Sequence, residues 1–234
     1  MSYYNGPKTI TNRLVLYLDA ANIKSYNSGS STWYDLSGNG NVGTLANGPA
    51  FNSIGGGSIL YDGTNDQVNI PSTNAPIKFG TSPYSLELWI NPSSVTNRQG
   101  LICSDGGNTT APIFAIQGQG TTGAVGCGTY GSADTVNTGT NNGVTLNQWA
   151  HVVLSRVSTS ANSAFIYINS VLKATGTLST NYSGTHGVGI GYTPVAGEYY
   201  SGYIAVAKIY NGYALTREDV LQNYNVTKGR FGLS

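Results

Sequence analysis

Ten carboxylates and two histidines are all the acid–base chemistry in this chain. The glutamates are Glu87, Glu198 and Glu218, and the aspartates are Asp19, Asp35, Asp62, Asp66, Asp105, Asp134 and Asp219. Glycoside hydrolysis usually needs two carboxyl groups about 5–9 Å apart across the scissile bond. Acids at i and i+2 of one strand supply such a pair, because both point to one face. Glu87 has Ser85 and Trp89 at those positions, so no second acid accompanies it. Asp62-Gly63-Thr64-Asn65-Asp66 holds two acids but reads first as a turn. His151 follows Trp149 inside an apolar run and reads as a structural histidine; His186 sits in a Gly/Thr turn and reads as exposed. There is no Gly-x-Ser-x-Gly elbow, no Walker A and no dinucleotide fingerprint. No enzyme is expected.

Calcium wants several oxygens, and two segments offer them. Asp35-Leu36-Ser37-Gly38-Asn39-Gly40-Asn41 has one carboxylate and competes with a plain Asx-type turn, in which Asp35 bonds backbone amides. Asp105-Gly106-Gly107-Asn108 is the second, joined by Glu198 from another loop. Aromatic rings can stack on the apolar faces of sugars while Asn and Asp bond the hydroxyls. Trp33, Tyr34, Tyr130, Tyr192, Tyr199 and Tyr200 lie in or beside loop-like segments, and Trp33, Tyr130, Tyr199 and Tyr200 form the expected platform. Most of the 17 tyrosines must instead be core or sheet-face residues. Cys103 and Cys127, the two cysteines, show no zinc spacing and read as free, partly buried thiols.

The elements that carry these residues follow from composition. Only 9% of the 234 residues are charged, against about 25% in ordinary proteins, and glycine is high at 32. A coiled coil or helical bundle is excluded, since both need many Glu, Lys, Ala and Leu. Net charge is +1 and the eleven basic residues are scattered, which excludes the clustered cations of a nucleic-acid surface. No run of 18 apolar residues could span a membrane. The opening MSYYNGPKTITNRLVLYLD lacks a basic region followed by an apolar core, so no secretory signal is expected.

Short runs rich in Val, Ile, Tyr, Phe and Trp recur between Gly/Asn/Ser/Thr clusters. Strands are expected at Leu14–Leu18, Ser58–Tyr61, Gln67–Ile70, Ser85–Ile90, Leu101–Ser104, Ile113–Gln117, Ala124–Tyr130, Trp149–Val157, Ala164–Ile168, Gly187–Gly191 and Gly202–Tyr210. That pattern predicts an all-β sandwich or jelly roll. Leu86, Leu88 and Ile90 share one strand face; Ile166 and Ile168 face opposite Phe165 and Tyr167. One short C-terminal helix is expected, with Thr216 as N-cap, Asp219 completing a capping box, and Val220, Leu221 and Tyr224 as its apolar stripe. Its expected role is to cover a sheet edge. A single domain over 1–234 follows, with residues 1–11 as an extended arm.

The ordered set of segments resembles the concanavalin A-like, LamG-type jelly roll. It runs through Leu14–Ala20, Trp33–Asn41, Ser85–Ile90, Asn147–Val153, Ile166–Asn169, Gly189–Gly191, Gly202–Asn211 and Ala214–Glu218. The resemblance implies two antiparallel sheets, a curved concave face and mostly binding roles. Pentraxin-like relatives place an Asp and an Asn after the strand matching Leu101–Ser104, which puts a calcium site at Asp105 and Asn108. Tyr192-Thr193-Pro194 stand where those relatives have acids, leaving Glu198 as the substitute. The alternating acidic triplet of laminarinase-type relatives is missing. The ending Gln222–Asn225 and Lys228–Gly232 resembles LamG-type proteins of tailed bacteriophages. The expected function is therefore a non-enzymatic virion protein decorating a capsid or tail and assembled in the host cytoplasm. Its expected partners are other virion proteins and glycans, and its low charge suits a homo-oligomer. The alternatives are a free carbohydrate-binding lectin and, third, a glycoside hydrolase. Calcium is the one cofactor in view.

Overall fold

A computed structural model describes residues 8–74, 76–104, 112–117, 123–129, 135–184, 186–194 and 197–234. Along the chain run β1 (Leu14–Asp19), β2 (Thr32–Trp33), β3 (Gly43–Ala46), β4 (Ala50–Asn52), β5 (Ser58–Asp62) and β6 (Gln67–Ile70). Next come β7 (Tyr84–Pro92), β8 (Gln99–Ser104), β9 (Pro112–Ile116), β10 (Val125–Thr129) and β11 (Val136–Asn137). β12 (Ala150–Arg156), β13 (Ala164–Ile168), β14 (Val171–Gly176), β15 (Val188–Ile190) and β16 (Ser201–Asn211) follow, then α1 (Arg217–Thr227). The first sheet has the order β14-β13-β12-β7-β16-β5-β4, and β1 shares an edge of β16 with β5. The second has the order β11-β10-β9-β8-β15-β6-β3-β2. Adjacent strands pair antiparallel throughout, giving the concanavalin A-like jelly-roll sandwich.

The two-residue side-chain period sorts each strand between two environments. Leu86, Leu88 and Ile90 of β7 enter the core between the sheets, with Ile166 and Ile168 of β13 and Val188 and Ile190 of β15. At one end of that core Arg156 is fully buried, its guanidinium 4.6 Å from the Tyr84 ring centre and 4.9 Å from that of Tyr182. Its Nη atoms donate to the carbonyls of Gly80, Ser82, Leu178 and Thr180. A cation survives there because backbone dipoles and ring faces replace its water.

The outer face of the first sheet is also covered. Thr216 caps α1 through both arms of a capping box with Asp219, a feature worth about 1 kcal/mol. Val220, Asn223 and Tyr224 are buried, whereas Leu221 is exposed, so the apolar stripe is narrower than expected. The helix lies over the middle of the sheet rather than along an edge: Val220 packs with Val153 and Tyr210, and Tyr224 stacks on Trp89. Of the expected arm, Thr9 and Ile10 are docked, both donating to Asn223 Oδ1.

Beneath the helix Glu87 is fully buried. Its Oε1 accepts from Lys208 Nζ at 2.9 Å and lies 3.1 Å from His151 Nε2. Its Oε2 accepts from Asn223 Nδ2 at 2.7 Å and Tyr210 Oη at 3.2 Å. Burial pushes the carboxyl up, but the Lys208 ammonium and His151 outweigh it and hold the group well below the usual carboxylate range. A carboxylate so enclosed has no access to a substrate and serves as the anchor of the covered face.

Candidate functional site on the outer face of the second sheet

The second sheet treats its outer face differently. Core residues Val188 and Ile190 flank Gly189, and register pairs Gly189 with Cys103 and with Asn69. Cys103 pairs in turn with Ile113, and Ile113 with Gly128. The row in register across β10, β9, β8, β15 and β6 is therefore Gly128, Ile113, Cys103, Gly189 and Asn69, small or polar at every step except Ile113. Such a row lets rings lie against the backbone. A Cβ at Gly189 would come within 2.4 Å of the Tyr192 ring.

Tyr192 is held there by its own polar groups. Its hydroxyl donates to Asn69 Oδ1 at 3.0 Å, and its carbonyl accepts from Cys103 Sγ at 2.7 Å. Tyr192 and Tyr199 form an antiparallel bridge, with ring centres 6.4 Å apart and planes 23° from parallel. Tyr199 is half-buried. The segment joining them is tied to β8: Gly100 donates its N–H to the Glu198 carbonyl, and Gln99 Oε1 accepts from the Ser201 N–H. Gly100 is required at that crossing, since a Cβ there would lie 2.0 Å from the Tyr192 carbonyl oxygen. The Glu198 carboxylate accepts from Arg98 Nη1 at 2.9 Å and from the Thr193 hydroxyl.

The expected site residues separate on this geometry. Tyr199 is half-buried beside Tyr192. Trp33 is instead fully buried, edge-on to Tyr26. Tyr200 is also fully buried, edge-on to Tyr61. Both are corrected from platform to core. The core lies on their side of the strand, and their partners come from distant parts of the chain. Tyr130 lies outside the described residues, as do Asp105 and Asn108. Glu198 is described, but its carboxylate is already satisfied by Arg98 and Thr193, which opposes the calcium role expected of it. Asp35 accepts from the backbone N–H groups of Tyr17, Ser37 and Asn41 and from the Ser37 hydroxyl, which is the Asx-type turn. Among the described residues no three His, Cys, Asp or Glu side chains converge on a metal position. Cys103 and Cys127 are fully buried rather than partly so. His151 is buried against Glu87, and His186 is half-buried rather than exposed. Asn69 was missed. Its signal was the alternation Gln67-Val68-Asn69-Ile70, which puts amides opposite the core. Arg98 carried no signal of its own.

A two-sheet sandwich with one outer face covered by a helix and the other carrying Cys103, Gly189 and the Tyr192–Tyr199 pair has the concanavalin A-like architecture. Residues 62–221 match the Laminin_G_3 family, the concanavalin A-like lectin/glucanases superfamily, and the chain belongs to it. No curated protein matches the sequence. Among solved structures, domain 4 of AbnA, a GH43 extracellular arabinanase from Geobacillus stearothermophilus, in complex with arabinotriose, superposes with a TM-score of 0.68 at 20% identity. That match covers 91% of this chain and 98% of the other. The binding domain of Paraclostridial Mosquitocidal Protein 1 superposes with a TM-score of 0.68 at 14% identity, over 92% of this chain and 52% of that one. Trypanosoma rangeli sialidase in complex with sialic acid gives 0.64 at 12% identity, over 93% and 33%. The chain thus spans about half of the toxin domain and a third of the sialidase. At these identities the likeness is one of fold.

Proposed function

We propose that this chain is a non-catalytic glycan-binding module whose ligand lies on the outer face of the second sheet. The observation that carries the reading is the Tyr192–Tyr199 pair, anchored by Asn69 over Gly189. A half-buried ring beside amide groups provides what a saccharide needs: an apolar surface for its C–H face and polar groups for its hydroxyls. The arabinotriose complex of the AbnA domain lends support, because that domain matches this chain over nearly its whole length. The enclosure of Glu87 by Lys208, His151, Tyr210 and Asn223 supports the non-catalytic reading.

The test is a glycan array that includes arabino-oligosaccharides, run with and without chelator. Binding unchanged by chelator is the expected result; no binding in either condition removes the reading. A polysaccharide hydrolysis screen tests the enzyme alternative, and turnover abolished by Glu87→Gln would contradict the role given to that residue.

A narrower reading places the module on the outside of a phage particle, among other virion proteins. It rests on the resemblance carried by Gln222–Asn225 and Lys228–Gly232 together with the low charge. Mass spectrometry and antibody imaging of purified particles test it.

A further inference from the structure

We propose a second binding site, for a small monocarboxylate with an apolar body, in the groove between the β13–β14 hairpin and the start of α1. It lies against the first sheet and is independent of the glycan reading. The groove has a volume of about 440 Å³ and is lined by Tyr167, Ser170, Val171, Leu172, Arg217 and Leu221. Asn169 and Ser170 both have positive φ, 50° and 63°, the signature of a two-residue hairpin turn. That turn delivers Val171 and Leu172 to the groove wall.

Two kinds of group are left unused there. Among the described residues eight large apolar side chains are exposed, and three of them, Val171, Leu172 and Leu221, line this groove. Single exposed apolar residues need no explanation, but a cluster around a cavity does. Tyr167 is only 7% exposed as a residue, and its hydroxyl, which makes no hydrogen bond among the described residues, is not enclosed but opens at the groove. Arg217, exposed at the first position of α1, makes no ion pair among the described residues.

Together these groups specify one ligand chemistry. A carboxylate would accept from the Arg217 guanidinium and the Tyr167 hydroxyl, a charge-assisted arrangement stronger than a neutral one. An aliphatic body would then run along Val171, Leu172 and Leu221. Glu218 also faces Tyr167 and adds a like charge, so a single negative charge is favoured over a phosphate dianion. A neutral sugar gains less, because the Tyr167 ring is too buried to offer a stacking face.

The experiment is calorimetric titration of the whole chain with octanoate below its micelle concentration, with 1-octanol and glucuronate in parallel. Octanoate should bind saturably, about tenfold tighter than octanol, a difference of about 1.4 kcal/mol. Arg217→Ala should weaken octanoate about tenfold and leave octanol unchanged; Tyr167→Phe should weaken octanoate severalfold. An unchanged thermal midpoint in both variants separates lost contacts from lost folding. Four results would overturn the proposal: no saturable octanoate binding, octanoate indifferent to Arg217→Ala, glucuronate matching octanoate, or a dimer in sedimentation that Leu221→Asp dissolves. The last would make the groove an interface between copies.

Discussion

Asn223 Nδ2 donates to Glu87 Oε2 across 2.7 Å, and this bond fastens the C-terminal helix to the middle of the first sheet. The neighbouring residues do related work. Gln222 donates to the Lys8 carbonyl, Tyr224 and Phe231 stack on Trp89, and Arg230 bonds Asp19 and the carbonyls of Gly55 and Gly57. The C-terminal pattern Gln222–Asn225 and Lys228–Gly232 thus has a local physical role: it covers the outer face of the first sheet.

Removing the charge from Glu87 should unfasten this face. Glu87→Gln leaves Lys208 buried without its counter-charge, and breaking a buried pair in this way costs about 3–5 kcal/mol. Urea unfolding should show a midpoint lowered to match, with little change in slope.

Acid should act on the same group. The folded-state pKa of Glu87 lies below the unfolded value of about 4.3, so its contribution is fully present above about pH 4.3 and is lost as pH falls further. The unfolding free energy of the wild type should decline steeply below pH 4. Glu87→Gln should decline less over the same range, and parallel curves would contradict the assignment.

Arg156 holds the far end of the core by four backbone carbonyls. Arg156→Met keeps the length of the side chain but removes the donor from the Ser82, Leu178 and Thr180 carbonyls, while Gly80 keeps the Tyr182 N–H. Unsatisfied buried groups cost about 1–3 kcal/mol each, partly relieved by relaxation, and a net loss of about 3 kcal/mol is expected in chemical denaturation. Glycan binding by the surviving folded protein should be unchanged.

The strands were largely legible because buried β-sheet leaves an apolar signature. Gln67–Ile70 and Ala164–Ile168 have the expected bounds, and the other expected strands shift by a residue or two. Thr32–Trp33, Gly43–Ala46, Ala50–Asn52, Val136–Asn137 and Val171–Gly176 were not legible. All but the last are short, and their Gly, Thr and Asn content is indistinguishable from turn chemistry until a neighbour supplies the ladder. Val171–Gly176 is an edge strand with an exposed face, so it lacks apolar alternation. The site was less legible than the fold. Trp33 and Tyr199 look alike in sequence, and only the packing of Tyr26 and Tyr192 separates a core ring from a half-buried one.

Gly100 links fold to site. Gly100→Ala would drive a methyl into the Tyr192 carbonyl and displace the segment that carries Tyr199. Overpacking of this kind costs about 1–3 kcal/mol, so a lowered thermal midpoint and lost glycan binding should appear together. Gly229→Ala, where a Cβ meets nothing within 4 Å, is the control and should leave binding intact.

The most direct test of the central claim is a calorimetric titration of the best array ligand into wild type, Tyr199→Ala and Tyr34→Ala. Tyr34 is 50% exposed and follows Trp33 of β2, the edge strand of the second sheet three places from β15, so it is remote from the Tyr192–Tyr199 pair. Affinity should fall about tenfold, or about 1.4 kcal/mol, in Tyr199→Ala and stay unchanged in Tyr34→Ala. Equal affinity in wild type and Tyr199→Ala, with all three proteins folded, would contradict the account.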